Sequence, residues 1–247
     1  LAQGSAKERA SVEALSTRFS AKKSGPRKAK DERYAEALRQ LAREYPQDVD
    51  AATLAAEAMM LLRPWDYWRG DGRPQPRTEE IVATLETAIQ QNPNHPGACH
   101  YYIHAIEASP EPQRGLDCAK RLPSLMPGAG HLVHMPAHIY MRMGRYREAS
   151  ERNAAAAMVD QEYLSRHPIE GNYASGYYAH NLHFLNASMM MEGRSAEALQ
   201  VARDLLTKVS AEEIAKEPAL EWYAPTLLLT LARFGQWGDL IRHPPPP

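Results

Sequence analysis

Apolar residues recur with helical spacing along almost the whole chain. In segments 35–44, 51–62 and 196–206 they stand three or four positions apart, which places them on one face of an α-helix. Alternation with a period of two, bounded by hairpin turns, is not evident, so β-sheet is not expected. Pro and Gly interrupt the pattern and predict helices of about 12–16 residues. The sequence therefore predicts an all-α protein.

The sequence also repeats with a period of 34 residues. This spacing separates His100 from His134, His104 from His138 and Pro93 from Pro127. Segments 143–149 and 192–198 resemble the turn between the two helices of a tetratricopeptide repeat (TPR), whose period is 34. Segment 92–96 resembles the loop that closes such a repeat. The chain is therefore identified as similar to the TPR superfamily over about residues 31–242, as a histidine-rich member of bacterial type.

The resemblance implies a right-handed solenoid of stacked helix-turn-helix repeats around a concave groove. It implies first helices near 48–62, 96–109, 130–143, 179–192 and 220–234, and second helices near 31–45, 78–91, 111–125, 145–160 and 194–208. Insertions within 63–72 and 163–178 break the period and are expected on the binding face. We expect a basic N-terminal segment 1–30, a repeat domain 31–243 and a Pro-rich end 244–247, in a fragment of a longer protein.

Composition excludes several classes of protein. The chain is 44% apolar and 24% charged, as expected for a globular protein. Its net charge of −1 argues against nucleic acid as a partner, and without a run of 18 apolar residues no membrane span is expected. With only Cys99 and Cys118, a disulfide-rich scaffold and an all-cysteine zinc site are excluded, and packing is the expected role of Cys99. The compartment cannot be inferred.

Histidines recur at equivalent positions of the predicted first helices. With four of these helices in one register, the second, fifth and ninth positions hold seven histidines and the carboxylates Asp50 and Glu57 in twelve places. Random placement of the ten histidines would fill roughly 0.5 of the twelve. The seven histidines are His100, His104, His131, His134, His138, His180 and His183.

This pattern predicts a transition-metal site. Offsets of three, four and seven residues share one helix face, which the resemblance implies to face the groove. Neutral imidazoles packed together need partners for their ring nitrogens, and a metal ion supplies one. The predicted ligands are the seven histidines and Glu57. Because they exceed the needs of one ion, the pattern indicates either one ion with further histidines and acids around its ligands, or two ions. Two ions would divide the ligands into His100, His104 and Glu57 for one and His134, His138, His180 and His183 for the other, leaving His131 outside or exchangeable.

The metal and its chemistry stay open at this stage. Imidazole suits copper, iron and zinc. Glu107 and Glu57 are candidate catalytic groups that move protons, and a small-molecule substrate would lie under the inserted aromatic loops. Oxidation at copper or iron is slightly preferred over hydrolysis at zinc. The alternatives are a metal carrier and a TPR scaffold that binds peptides of a protein partner in the groove.

Overall fold

The computed structural model describes residues 4–19, 26–167 and 173–243. The predicted Pro-rich end 244–247, and parts of segment 1–30 and of the second insertion, lie outside these residues. The described residues are helical apart from loops and one isolated bridge between Trp68 and Pro74. Their α-helices are α1 (Ala6–Arg18), α2 (Arg27–Glu44), α3 (Val49–Met60), α4 (Thr78–Gln91), α5 (Pro96–Ile106), α6 (Leu116–Leu125), α7 (Gly130–His134), α8 (Pro136–Arg142), α9 (Tyr146–Arg166), α10 (Ala179–Glu192), α11 (Ser195–Lys208), α12 (Ala211–Lys216), α13 (Thr226–Arg233) and α14 (Trp237–Arg242).

Most predicted helices are confirmed, and the differences have local causes. The bounds of α3, α4, α10 and α11 agree with the prediction to within two residues. The helix predicted over 130–143 is instead divided into α7 and α8, because Pro136 has no N–H to donate to the preceding turn. The helix predicted to end at 160 continues as α9 to Arg166, within the second insertion. The predicted turns at Gly144 and Gly193 adopt positive φ angles of 72° and 78°, which glycine tolerates.

Short 3₁₀ and π-helical segments precede three of the described α-helices. The segment Pro112–Gly115 is a 3₁₀-helix that leads directly into α6, and Pro218–Tyr223 is a second one, before α13. The residues Ala174–Tyr178 form a π-helical turn that leads directly into α10. No helix of the described residues is long and apolar enough to cross a bilayer.

The chain consists of two compact units, Leu1–Arg121 and Leu122–Pro247, here called unit 1 and unit 2. In unit 1, each of α1 to α4 packs against the next helix along the chain. Its core includes the fully buried Leu38, Leu85 and Ile103, together with the alanines of α3. Small alanine side chains let helix axes approach closely, as ridges-into-grooves packing requires. The predicted domain boundaries at 31 and 243 stay a prediction.

A disulfide bond in unit 1 joins α5 to α6. It links Cys99 to Cys118, whose Cα atoms are 5.0 Å apart and whose side chains are buried. The sequence pattern predicts only packing for Cys99 and does not indicate this bond. The first insertion is fixed to the same helix, because the Trp68 indole N–H donates a 2.7 Å hydrogen bond to the carbonyl of Ala105. These contacts hold α5, which carries His100 and His104, in place.

In unit 2, α9 is the central helix. It packs against α7, α8 and α10, and α10 packs in turn against α11. The face of α9 directed at its neighbours is made of small residues such as Ala149 and Ala156, with three buried polar residues, Ser150, Asn153 and Asp160, among them. A buried polar side chain needs a hydrogen-bonding partner. The partners of Asn153 and Asp160 include side chains on α7 and α10, as described below.

We predict that removing the disulfide destabilises unit 1. The double substitution Cys99→Ala and Cys118→Ala should lower the free energy of unfolding by about 2–4 kcal/mol, because the bond limits the freedom of the unfolded chain. Urea denaturation of the full chain measures this change. The wild-type chain treated with reductant should behave like the variant. An unfolding curve that is unchanged by both treatments would contradict the prediction.

Candidate metal centre

Unit 2 brings four of the predicted histidines together. His131 and His134 lie on α7, His138 lies one turn further on α8, and His180 lies at the start of α10. The spacings of three and four residues keep the first three on one side of the interrupted helix. We call these four residues the histidine cluster.

His134 is the centre of the histidine cluster. Its side chain is 0% exposed, and its Nε2 atom lies 2.8 Å from Nε2 of His138. The same Nε2 atom lies 3.1 Å from Nε2 of His180. The nearest ligand nitrogens of His131, His134 and His180 all lie within 4.8 Å of one another. Three imidazole nitrogens from two different helices therefore converge on a small volume.

Asn153 determines which nitrogen of His134 carries the proton. The Asn153 amide nitrogen donates to the carbonyl of Ala149 at 2.9 Å, so the amide oxygen is the atom that faces His134. This oxygen lies 2.6 Å from Nδ1 of His134 and can only accept a hydrogen bond. The neutral imidazole therefore carries its hydrogen on Nδ1. Its Nε2 lone pair faces the histidine cluster.

Burial keeps His134 neutral. Desolvation lowers the pKa of His134 well below its ordinary value, and the electrostatic influence of the His138 and His180 imidazoles lowers it further. The Asn153 hydrogen bond acts in the opposite direction and is the weaker effect. Neutral imidazole is the form that binds a metal ion.

Aromatic rings surround the histidine cluster. The Phe184 ring centroid lies 4.8 Å from the ring of His134, 4.5 Å from that of His138 and 4.9 Å from that of His180. This apolar contact excludes water from one side. On another side, the ring of Tyr177 lies 5.1 Å from that of His131, and Tyr177 is 50% exposed. The histidine cluster therefore has a side near solvent, at the π-helical turn.

Unit 1 contains a smaller group of predicted site residues on α5. The ring centroids of His100 and His104 are 5.0 Å apart, as expected for residues four positions apart on a helix. Nδ1 of His104 lies 2.9 Å from a carboxylate oxygen of Glu107, and these side chains are only 13% and 19% exposed. A carboxylate that accepts the Nδ1 hydrogen leaves Nε2 of His104 as the basic nitrogen.

Two predicted ligands lie apart from these groups. The ring of His183 packs against the rings of Trp222 and Tyr223 at 5.2 and 5.3 Å, and burial lowers its pKa. Glu57 is partly buried on α3, where desolvation raises its pKa and nearby Arg18 lowers it. Among the described residues, neither one belongs to a group of three or more metal-ligand side chains within 4.8 Å. Their roles as ligands, and that of Glu57 as a catalytic group, stay predictions.

Asn153 and Asp160 are not among the site residues predicted from the sequence. Asp160 is fully buried, and its carboxylate accepts hydrogen bonds from Tyr173 and Asn181. The signal was present in the sequence, because both residues interrupt the alanine-rich face of α9 and stand seven positions apart. A polar residue on such a face must find a partner inside the fold.

Comparison with known proteins identifies the fold. No protein-family model matches the sequence, and no curated protein matches it. Among solved structures, the MamA protein matches with a TM-score of 0.56 and 12% identity, over 85% of this chain and 96% of the other. The TPR protein TTC0263 of Thermus thermophilus matches with a TM-score of 0.54 and 15% identity, over 90% of this chain and all of the other.

A third similar structure is the human IFIT1 dimer with m7Gppp-AAAA. Its TM-score is 0.61 at 15% identity, over 98% of this chain and 51% of the IFIT1 chain. At such low identity these likenesses show the fold alone. The predicted fold class is confirmed: the chain is an all-α helical-repeat protein with a TPR-like fold. Its classification as a histidine-rich member of bacterial type stays a prediction.

We predict that unfolding becomes easier between pH 7 and pH 5, in part because of His134. The unfolded histidine takes up a proton near its ordinary pKa of about 6.5, whereas folded His134 stays neutral. Stability from this residue is therefore present above pH 6.5 and is lost as the pH falls. Chemical denaturation at pH 5, 6 and 7 measures the slope, which should be smaller in His134→Gln.

The comparison with His134→Gln isolates this effect from other groups. Burial raises the pKa of Asp160 and Glu57, so these carboxyls change stability in the opposite direction at lower pH. Burial also lowers the pKa of His183. All three groups are common to both proteins. Equal slopes in the wild type and the variant would contradict the prediction.

Proposed function

We propose that this chain binds a transition-metal ion in unit 2 through His131, His134 and His180, with His138 beside them. The observation that carries the proposal is the hydrogen bonding of Asn153 to His134 and to Ala149. It supports a tautomer of His134 whose Nε2 lone pair is directed at the other imidazoles. In metal sites, a group that accepts the hydrogen of the other ring nitrogen commonly orients each histidine ligand.

The ligand type and spacing support a nitrogen-binding metal. Imidazole favours zinc, copper or iron over magnesium and calcium, which prefer oxygen. Two nitrogens bound to one ion at about 2.0–2.1 Å lie roughly 3.0–3.4 Å apart. The 3.1 Å between the Nε2 atoms of His134 and His180 falls in this range. Three protein ligands would leave a coordination position for water or substrate, as in catalytic sites.

We extend the proposal to a metalloenzyme that acts on a small molecule. The half-exposed Tyr177 beside His131 supports access to the ion from solvent at the π-helical turn. Oxidation at copper or iron is preferred over hydrolysis at zinc, since tyrosines line this side. In unit 1, the contact between His104 and Glu107 supports a second ion at His100 and His104, and Glu107 as a group that holds a proton.

A protein-binding scaffold is the second candidate function. The likeness to TPR-like structures favours it, because helical repeats of this type commonly present extended binding surfaces. The IFIT1 structure contains m7Gppp-AAAA, but we do not propose such a ligand for this chain, because its net charge of −1 disfavours nucleic acid. A scaffold needs no metal, so metal affinity separates the two candidates.

Metal titration of the metal-free full chain tests the metal site. Zn²⁺ in competition with a chelating dye, or Co²⁺ followed by absorption, gives the affinity. We predict that His134→Ala with His180→Ala weakens binding by about 100-fold or more. In comparable sites, loss of a residue that only hydrogen-bonds a ligand already lowers metal affinity about 10- to 100-fold. The single substitution His180→Ala, at a half-buried position, covers the case in which loss of the buried His134 impairs folding.

The matched control removes another imidazole of unit 2. His167→Ala should bind metal as the wild type does, because His167 is exposed and lies outside the histidine cluster. Equal losses in the control and the test variant would show that the ligand set is wrong. A wild-type chain that binds neither ion would overturn the metal proposal and favour the scaffold.

The orienting role of Asn153 gives a further prediction. Asn153→Leu removes the acceptor of the His134 Nδ1 hydrogen, so metal affinity should fall about tenfold. Asn153→Asp keeps an acceptor and should retain affinity near that of the wild type. Ser150→Ala is the control on α9, because the Ser150 hydroxyl donates only to the carbonyl of Arg147. If Asn153→Leu binds metal as well as Ser150→Ala does, Asn153 does not orient a metal ligand and the prediction is wrong.

A further inference from the structure

We infer that Asp160 is a positioning residue for the histidine cluster, acting by joining the two helices that carry His131 and His180. The inference rests on the proposed function of the cluster. Asp160 contacts residues that stand directly next to two ligands in the chain. It does so from α9, the helix that also carries Asn153.

The first connection is to α10. A carboxylate oxygen of Asp160 accepts a 2.6 Å hydrogen bond from the amide nitrogen of Asn181. Asn181 is fully buried and directly follows His180. The hydrogen bond therefore restrains the first turn of α10, at the residue next to the ligand. A charge-assisted bond of this length is among the stronger contacts that a protein interior offers.

The second connection is to α7. A Cβ atom at Gly130 would lie only 1.9 Å from a carboxylate oxygen of Asp160. The carboxylate therefore lies directly against the backbone of Gly130, the residue before His131, and only glycine leaves room for it. This close approach packs the Asp160 carboxylate of α9 against the start of α7. Any side chain at position 130 would displace the carboxylate from this position.

The third connection is to the π-helical turn. The Tyr173 hydroxyl donates a 2.8 Å hydrogen bond to the carboxylate oxygen that also lies against Gly130. The Tyr173 ring contacts the ring of Tyr177, which in turn contacts the ring of His131. Two donors thus hold the carboxylate in one orientation. They also offset part of the desolvation that raises the pKa of Asp160.

Together, Asn153 and Asp160 make α9 the base of the metal site. They stand seven residues apart on one face, so both point towards the same neighbouring helices. Asn153 orients His134 directly, whereas Asp160 accepts from the Asn181 side chain next to His180 and lies against Gly130 next to His131. Ligands from two helices bind one ion well only when those helices are kept at a fixed separation.

Metal titration of the full chain with Asp160→Asn tests the inference. The substitution keeps the size of the side chain but leaves one acceptor oxygen where the carboxylate has two, so the Asn181 amide and the Tyr173 hydroxyl can no longer each donate to an oxygen of their own. We expect about tenfold weaker Zn²⁺ binding than in the wild type. The matched control is Glu162→Gln, because Glu162 lies exposed on the same helix. It should bind Zn²⁺ as the wild type does.

An exchange of the two side chains separates positioning from general stability. In the double variant Asp160→Asn with Asn181→Asp, the amide at 160 can donate to the carboxylate at 181, and Tyr173 can still donate to the amide oxygen. We expect Zn²⁺ affinity to return to within about threefold of the wild type. Circular dichroism and urea denaturation establish that each variant folds.

The outcomes are distinct. If Asp160→Asn binds Zn²⁺ like Glu162→Gln, the inference is wrong while the metal site stands. If the exchange variant folds but binds no better than Asp160→Asn, the hydrogen bond to Asn181 does not position the ligands and the inference is also wrong. If the wild type binds no Zn²⁺ or Co²⁺, the proposed function fails and this inference fails with it.

Discussion

The hydrogen bond between His134 and Asn153 is the contact on which the arrangement of unit 2 depends. Four imidazoles cannot pack side by side around a buried one unless the ring nitrogens have partners and the buried ring stays neutral. Asn153 meets this constraint for His134 by accepting its Nδ1 hydrogen and leaving Nε2 to the histidine cluster. The orientation of Asn153 depends in turn on the carbonyl of Ala149, and so on the helix α9 itself.

The fold was largely predictable because its signals are local. Helical spacing, the 34-residue period and the turns at Gly144 and Gly193 need no knowledge of distant contacts. The division at Pro136 was readable in principle, since a proline inside a predicted helix always removes one hydrogen bond. The Cys99–Cys118 bond was not predictable from local pattern, because it depends on how α5 meets α6.

The candidate site was predictable only in outline. Register alone brought His131, His134, His138 and His180 to attention, and the structure places these four together. The same register makes the position of His183 equivalent to that of His134, yet His183 packs against Trp222 and Tyr223 of the next segment. Asn153 and Asp160 act across 19 to 30 residues of sequence, through contacts that exist only after the helices have packed.

Whether the disulfide in unit 1 is formed depends on the redox conditions around the protein. Disulfides persist in oxidising surroundings and are reduced by the thiol pool of a reducing cytosol. In the first setting α5 is covalently joined to α6, whereas in the second the same helices are held by packing alone. The rigidity of the helix that carries His100 and His104 is therefore coupled to the redox potential of the surroundings.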